Sequence, residues 1–389
     1  MVTMTSADSA LKNYYLGVVA EQLNTEANPL LAKIRQTTAD VWGKEVRRLA
    51  QYGVNGGVGA GTEEGALPAS GGNNYEQFVT TLKNLYGTVE ISDKAVRASA
   101  NSAGAFVDLL TAEMEGLVRS SAFNFGRMLF GDGSGVLCKV ASVSGNAVTA
   151  DSVKNIVEGM TVDILDASGT AVDGATARRI TGVDRASKTF TLSGGTLPAG
   201  AKAGCLVCVQ GSYNLELTGL GAIFQETGTL YGLDRATHPW LIPYMEESVG
   251  AIDETVLQTA IDALEERAGS RVDFIVCSWG VKRALQKALG ASRVQTDMTV
   301  LAGGYKAITY NGIPVVADRF CPDGTMYLLN TADFCLHQLC DWKWLEGDDG
   351  RVLRQVPGKP LYTATLVKYA DLICTRPCGQ AMLTGITEA

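Results

Sequence analysis

The stretch Tyr305–Phe334, YKAITYNGIPVVADRFCPDGTMYLLNTADF, predicts three strands joined by two turns. Asn311-Gly312 lies between two apolar runs, and this dipeptide favours a positive φ at both positions, which closes a two-residue hairpin. Pro322-Asp323-Gly324 predicts a second turn before the apolar strand Met326–Leu329. We expect these strands to form an antiparallel meander, which is a scaffold and not an active site.

Two other features accompany the NGIPVV hairpin and the YLLN strand. GTVEISDKAVRAS at Gly87–Ser99 precedes a predicted helix, and apolar strands at Leu361–Ile373 close the chain. Together and in this order, these features resemble the major capsid proteins of tailed bacteriophages. The resemblance covers most of the chain outside an insertion, and it implies an α+β subunit with the Johnson fold of those shells.

The resemblance implies a division of the chain into the parts of that fold. These parts are an N-terminal arm (1–50), an extended hairpin loop (51–92), a peripheral domain with a spine helix (93–135 and 345–389), an inserted small β-barrel domain (136–212) and an axial domain (213–344). In that family the arm and the loop reach over neighbouring subunits.

Composition is compatible with this interpretation. The 389 residues are 46% hydrophobic, which argues against a disordered chain. No run approaches the roughly 20 apolar residues of a membrane span, and the N-terminus lacks a signal-peptide core, so we expect synthesis in the cytosol. A net charge of −8 disfavours tight binding to nucleic acid through phosphates. The nine cysteines have irregular spacing, which is typical of buried, reduced thiols.

The first 50 residues predict a polar helical stretch with too little apolar surface to fold alone. Its partial stripe consists of Leu23, Leu30, Leu31, Ile34, Val41, Val46 and Leu49. By resemblance it is an arm that borrows surface from neighbouring subunits; an ordinary first helix packed on its own domain is the alternative.

Residues Gly53–Asn74, GVNGGVGAGTEEGALPASGGNN, contain eight glycines and predict a flexible tip. Strand-like flanks at Gln77–Leu82 and Thr88–Ser92 predict a long projecting hairpin. The glycine cluster is not a phosphate-binding loop, because two glutamates follow it and no Lys-Ser/Thr pair does.

Further elements follow from capping and periodicity. Ser102 predicts the start of a helix that continues to about Phe130, and Asp253 the start of a second helix that ends near Gly269. A strand at Val272–Cys277, a helix at Val281–Leu289 and a mobile loop at Gly290–Gly304 complete this region. We expect the C-terminal strands to pair with the segment around Val89.

The insertion at about 136–212 contains four short strand candidates, MTVDILD, TARRITGV, KTFTLSG and GCLVCVQ, separated by turn residues. This pattern predicts a small β-barrel. It could stabilise contacts between subunits or dock a decorating protein, or it could be a tolerated surface ornament.

No catalytic, cofactor-binding or metal-binding residues are assigned, and we expect no enzymatic activity. Cys205-x-x-Cys208 lacks a second nearby pair of soft ligands for zinc, and Cys374 and Cys378 are distant in sequence. The acidic turn with Glu346, Asp348 and Asp349 predicts a solvated loop more than a calcium site. His238 and His337 lie near no nucleophile motif, although a pair with Cys277 stays open.

Some relatives of this fold join subunits through a lysine–asparagine isopeptide bond. The tip Gly53–Asn74 has no lysine, and no asparagine occurs from Thr331 to the end of the chain. We therefore predict no covalent cross-linking, and cohesion through noncovalent interfaces of about 2,000 Å² or more per subunit.

The resemblance implies a structural protein that assembles through pentamers and hexamers into an icosahedral virion shell around double-stranded DNA. It also implies a portal, assembly in the host cytoplasm and expansion of the shell as DNA enters. Because the sequence begins almost directly with the arm, we expect a separate scaffolding protein; prior removal of a leader is the alternative. The acidic net charge predicts weak nonspecific contact with DNA, and a decoration protein is a partner that the insertion could dock. The alternative is an encapsulin-type compartment, which encloses cargo enzymes. A hydrolase and a nucleic-acid-binding module are less well supported.

Overall fold

We describe the fold from a computed structural model, which confirms the α+β class. The structure describes residues 28–39, 41, 43, 45–94, 103–291, 298–300, 306–347, 350 and 352–389. The predicted arm before residue 28, the Ser102 cap and the acidic pair Asp348 and Asp349 lie outside these residues.

The helices, in chain order, are α1 (Pro29–Lys33), α2 (Ala103–Phe130), α3 (Leu220–Ile223), α4 (Glu254–Ala268) and α5 (Trp279–Ala291). The strands are β1 (Arg35–Thr37), β2 (Glu45–Tyr52), β3 (Asn74–Thr81), β4 (Lys83–Ser92), β5 (Val136–Ser144), β6 (Ala147–Ala150), β7 (Thr161–Leu165), β8 (Arg178–Asp184), β9 (Thr189–Leu192), β10 (Leu206–Val209), β11 (Thr229–Leu230), β12 (Leu233–Asp234), β13 (Tyr244–Glu246), β14 (Phe274–Cys277), β15 (Met298–Val300), β16 (Lys306–Tyr310), β17 (Ile313–Ala317), β18 (Met326–Leu329), β19 (Phe334–Trp344), β20 (Arg354–Gln355), β21 (Leu361–Cys374) and β22 (Ala381–Leu383).

The long helix α2 has the predicted span of 28 residues, which corresponds to roughly 42 Å. Met114, Val118, Phe125 and Leu129 are buried and lie four and seven residues apart, so they form one face of the helix. This face packs into the largest core, against both main sheets.

The NGIPVV hairpin is confirmed: Tyr310 pairs with Ile313, and both Asn311 and Gly312 have a positive φ. The predicted meander is wrong. Strand β14 lies between β17 and β18 in the seven-stranded sheet β13-β22-β18-β14-β17-β16-β15. All four residues of β14 are buried, and such a strand is stable only in the middle of a sheet that is covered on both faces.

Helices α4 and α5 cover one face of this sheet and share a core with it. The Asp253 carboxylate caps α4 by accepting a hydrogen bond from the backbone N–H of Val256, and Gly269 ends the helix in the left-handed conformation, as predicted. The predicted mobile loop at Gly290–Gly304 is wrong for residues 290 and 291, which belong to α5, and for residues 298–300, which form β15 and pair with β16.

A second sheet has the order β1-β19-β21-β20, and β4 also pairs with β21. Ala364 pairs with Val89, so the predicted contact between the C-terminal strands and this segment is confirmed. Thr88–Ser92 belongs to β4 and does not flank the hairpin, because its backbone groups bond to β21. The hairpin consists of β2 and β3.

The helical prediction for residues 1–50 is wrong for most of the described part. Asn28 caps α1, which is only five residues long. In β2 the burial alternates every two residues, so Val46 and Ala50 are buried whereas Leu49 faces solvent. The apolar residues of this segment follow the two-residue period of a strand and not a helical stripe.

The insertion is a closed barrel with the order β10-β5-β6-β9-β8-β7 and a core of its own, which includes Val148, Ile156, Val162 and Phe190. The four predicted strands correspond to β7, β8, β9 and β10. Strands β5 and β6, which the sequence analysis did not identify, complete the barrel.

Candidate assembly surface

The hairpin of β2 and β3 carries a tip, residues 53–73, that exposes large apolar side chains. Val54, Val58 and Leu67 are 83%, 88% and 90% exposed. Scattered exposed apolar residues are ordinary, but three on one glycine-rich segment without a core are not explained by packing within this chain. The tip is therefore a candidate contact surface.

Two glycines give the tip its shape. A Cβ atom on Gly71 would lie 2.3 Å from the backbone nitrogen of Gly57, so the two arms of the loop approach too closely for any other residue type at this position. The side chain of Asn55 accepts a hydrogen bond from the Gly57 N–H and donates one to Asn73. The glycines thus serve close contact as well as flexibility.

Aromatic rings hold the base of the hairpin against the segment 229–241. The ring of Tyr52, at the end of β2, stacks on Trp240 with 4.9 Å between centroids and an interplanar angle of 4°. Phe78 of β3 contacts both Trp240 and Tyr231, and the Val79 N–H donates to the Tyr231 carbonyl. We call Tyr52, Phe78, Tyr231 and Trp240 the aromatic clamp.

A buried carboxylate joins the hairpin to the second sheet. Asp371 of β21 accepts hydrogen bonds from the Thr80 hydroxyl at 2.5 Å and from the N–H and hydroxyl of Thr218 at 2.8 and 3.0 Å. Burial raises the pKa of Asp371, whereas these hydrogen bonds and nearby Lys83 lower it. One side chain therefore connects β3, β21 and the segment that leaves the barrel.

Cys277, which the sequence left open as a nucleophile, is not activated. Burial raises the pKa of the Cys277 thiol to about 12, and its Sγ donates to the Val316 carbonyl. A nucleophilic cysteine needs a lowered pKa. His238 stacks edge-on against Trp240, and His337 is buried in β19 opposite Asp371.

The Cys205-x-x-Cys208 pair lies in the barrel with both thiols buried and bonded to backbone carbonyls, of Gly200 and Asp163 respectively. Cys374 is buried and Cys378 partly so. At Glu346, the backbone carbonyl accepts a hydrogen bond from Arg354. Among the described residues, no group of three or more His, Cys, Asp or Glu side chains is arranged to hold a metal ion.

Within the described ranges, no helix combines the length and the apolar character that crossing a membrane requires.

The hairpin was predictable from the sequence, whereas the contacts that hold its base were not. Trp240 carries no local sequence signal for this role, since its stacking partner Tyr52 lies 188 positions earlier. Asp371 did carry a signal, because it is a single carboxylate within the apolar strand LYTATLVKYADLIC. A charge in such a run indicates a buried hydrogen-bond network.

Comparison with solved structures shows which known fold this chain has. A chain of the cyanophage A-1(L) capsid asymmetric unit matches with a TM-score of 0.57 at 14% identity, over 93% of this chain and 94% of that one. The capsid of Myoviridae phage XM1 gives a TM-score of 0.48 at 9% identity, over 93% and 92%. The SrpI encapsulin of Synechococcus elongatus PCC 7942 gives 0.46 at 11% identity, over 92% and 86%.

No protein-family model and no curated protein sequence matches this chain. The match to the cyanophage structure extends over almost the whole length of both chains. The chain has the fold of a phage capsid subunit, as the sequence resemblance implied.

Proposed function

We propose that this protein is the major capsid protein of a tailed bacteriophage, which assembles through pentamers and hexamers into an icosahedral shell around double-stranded DNA. The observation that carries the proposal is the near-complete match to a cyanophage capsid chain. The exposed apolar tip supports it, because this surface becomes buried only when another molecule covers it.

The sheets suggest how the subunit is divided. We assign the hairpin of β2 and β3 as the extended loop, α2 as the spine helix, and the sheet of β4, β19 and β21 as the peripheral domain. The seven-stranded sheet with α4 and α5 is the axial domain, and β5–β10 form the inserted domain. The N-terminal arm predicted for residues 1–50 remains a prediction, because residues 1–27 lie outside the part of the chain that the structure describes.

The proposed mechanism is assembly without turnover. Subunits are held by noncovalent contacts repeated by symmetry, where interfaces of about 2,000 Å² or more suffice. The net charge of −8 leaves only weak attraction to the packaged DNA. A separate scaffolding protein and a portal are the expected partners during assembly in the host cytoplasm, and the mature location is the virion.

The test is expression of the full chain, alone and with candidate scaffolding proteins, followed by cryo-electron microscopy. Closed polyhedra or capsomer rings with the hairpin on a neighbouring subunit are expected. DNA within particles from infected cells would separate a virion shell from an encapsulin compartment, which would hold protein cargo. A protein that stays monomeric with every scaffold and has no place in a virion would refute the proposal.

A further inference from the structure

The inserted barrel is attached to the rest of the subunit at a rigid root. Arg127, near the end of α2, makes two hydrogen bonds to the carboxylate of Glu216, just after the barrel, at 2.8 and 2.5 Å. Both side chains are almost fully buried, at 4% and 3% exposure. A paired guanidinium and carboxylate have one preferred geometry, so this contact restricts the angle at which the barrel leaves the helix.

A second attachment of the barrel, separate from the Arg127–Glu216 pair, lies on the loop between β6 and β7. The Lys154 ammonium donates to the Cys321 backbone carbonyl at 2.5 Å and to the carboxylate of Asp323. These acceptors belong to the turn between β17 and β18, which is 167 to 169 positions away and outside the barrel.

The loop that carries Lys154 is itself fixed to the barrel. Val153 and Ile156 are part of the barrel core, on either side of the lysine. The Arg185 guanidinium donates to the carbonyls of both residues, at 3.3 and 3.5 Å. The backbone on both sides of Lys154 is therefore fixed to the barrel.

The turn that receives Lys154 packs back on α2. The ring of Phe123 in α2 contacts two residues of this turn. The centroid of the Phe320 ring lies 5.2 Å from its centroid, and the Arg319 guanidinium lies 4.9 Å from it. A Cβ atom on Gly126 would come within 2.5 Å of the Phe320 ring, so the turn is seated directly on the helix. The contacts thus form a closed circuit from α2 through the barrel to the turn and back to α2.

We propose that the inserted barrel is an internal brace, which ties the long helix to the turn between β17 and β18, and that Lys154 is the positioning residue that fixes its angle. The brace stiffens the single subunit. It therefore goes beyond the proposed shell function and does not depend on it, because each of the contacts described above joins two parts of one chain.

Hydrogen–deuterium exchange of the full-length protein tests this proposal with the variant Lys154→Met, which keeps the aliphatic chain and removes the donor. We expect about tenfold faster exchange in the loop 151–160 and in the turn 319–325, because the variant removes the hydrogen bonds that the charged ammonium makes between these segments. A tenfold change corresponds to about 1.4 kcal/mol. Amides in the barrel strands β7 and β10 should exchange as in the parent protein, which shows that the barrel stays folded.

Lys202→Met is the matched control, because Lys202 is an exposed lysine of the same barrel. Asp323→Ala is a milder second variant; it leaves the Cys321 carbonyl in place, and we expect a smaller rise in exchange in the same two segments. If Lys154→Met and Asp323→Ala exchange like Lys202→Met in both segments, the brace does not exist. Shell formation is not measured, so this failure would leave the capsid proposal intact.

Discussion

Individual buried charges in this subunit differ in how well they are compensated. Asp371 accepts three hydrogen bonds from Thr80 and Thr218, and Arg127 faces a carboxylate. Asp318 is less well compensated: its Oδ1 accepts from the Phe320 N–H, whereas its Oδ2 is buried without a hydrogen-bond partner among the described residues. Burial raises the pKa of Asp318 to about 6.

This raised pKa predicts a pH dependence. Folding favours the neutral form of a carboxyl whose pKa rises from its ordinary value of 3.8 to about 6. Its contribution to the free energy of unfolding is therefore complete below the ordinary pKa and is lost as the pH rises through 6. Between pH 4 and 7, the free energy of unfolding of the parent protein should fall by about 2–3 kcal/mol relative to Asp318→Asn. Denaturant titrations at pH 4, 5, 6 and 7 measure this difference; a constant difference would contradict it.

The Arg127–Glu216 pair predicts strong coupling. Arg127→Met leaves the buried Glu216 carboxylate without its partner, which should lower the free energy of unfolding by about 3–5 kcal/mol. The double variant Arg127→Met with Glu216→Gln should recover part of this loss, since no buried charge is then left alone. Arg119→Met, which breaks an exposed pair with Glu115, should change stability by less than about 0.5 kcal/mol. Additive effects in the double variant would show that the pair is not coupled.

Secondary-structure elements show where sequence reasoning succeeded. The helix Ala103–Phe130, the cap at Asp253 and the Asn311-Gly312 hairpin depend on neighbouring residues, and these were predictable. The position of β14 between β17 and β18 was not, because strand order depends on contacts across the sheet and not on the turn chemistry that suggested a meander. The aromatic clamp was not predictable either, because its members are far apart in sequence.

The aromatic clamp predicts that Trp240 determines the stability of the hairpin base. Trp240→Leu removes the stacking partner of Tyr52, and we expect about 2–3 kcal/mol lower local stability, measured as faster hydrogen exchange in β2 and β3. Trp279→Leu is the control, because Trp279 is 55% exposed. Equal exchange in the two variants would show that the hairpin is held without the clamp.

At the scale of the whole molecule, the fold was predictable from the order of the three sequence features, whereas the contact surfaces were not. The tip lacks lysine, and no asparagine occurs after Thr331, so we expect no isopeptide bond between subunits. Assembled particles should dissociate in hot detergent, and the protein should run as a single band near the monomer mass. Denaturing gel electrophoresis measures this outcome directly. A ladder of multimers that survives boiling under reducing conditions would mean that another pair of side chains forms a covalent bond.

The closed barrel has a practical consequence. Its first and last strands are neighbours, and Val136 of β5 pairs with Cys208 of β10, so the chain enters and leaves the barrel about 5 Å apart. A foreign domain whose termini are adjacent could be grafted at this point without stretching α2 or the strands that follow. The subunit thus contains a cassette site, at which a particle built from this chain could display many copies of a chosen protein.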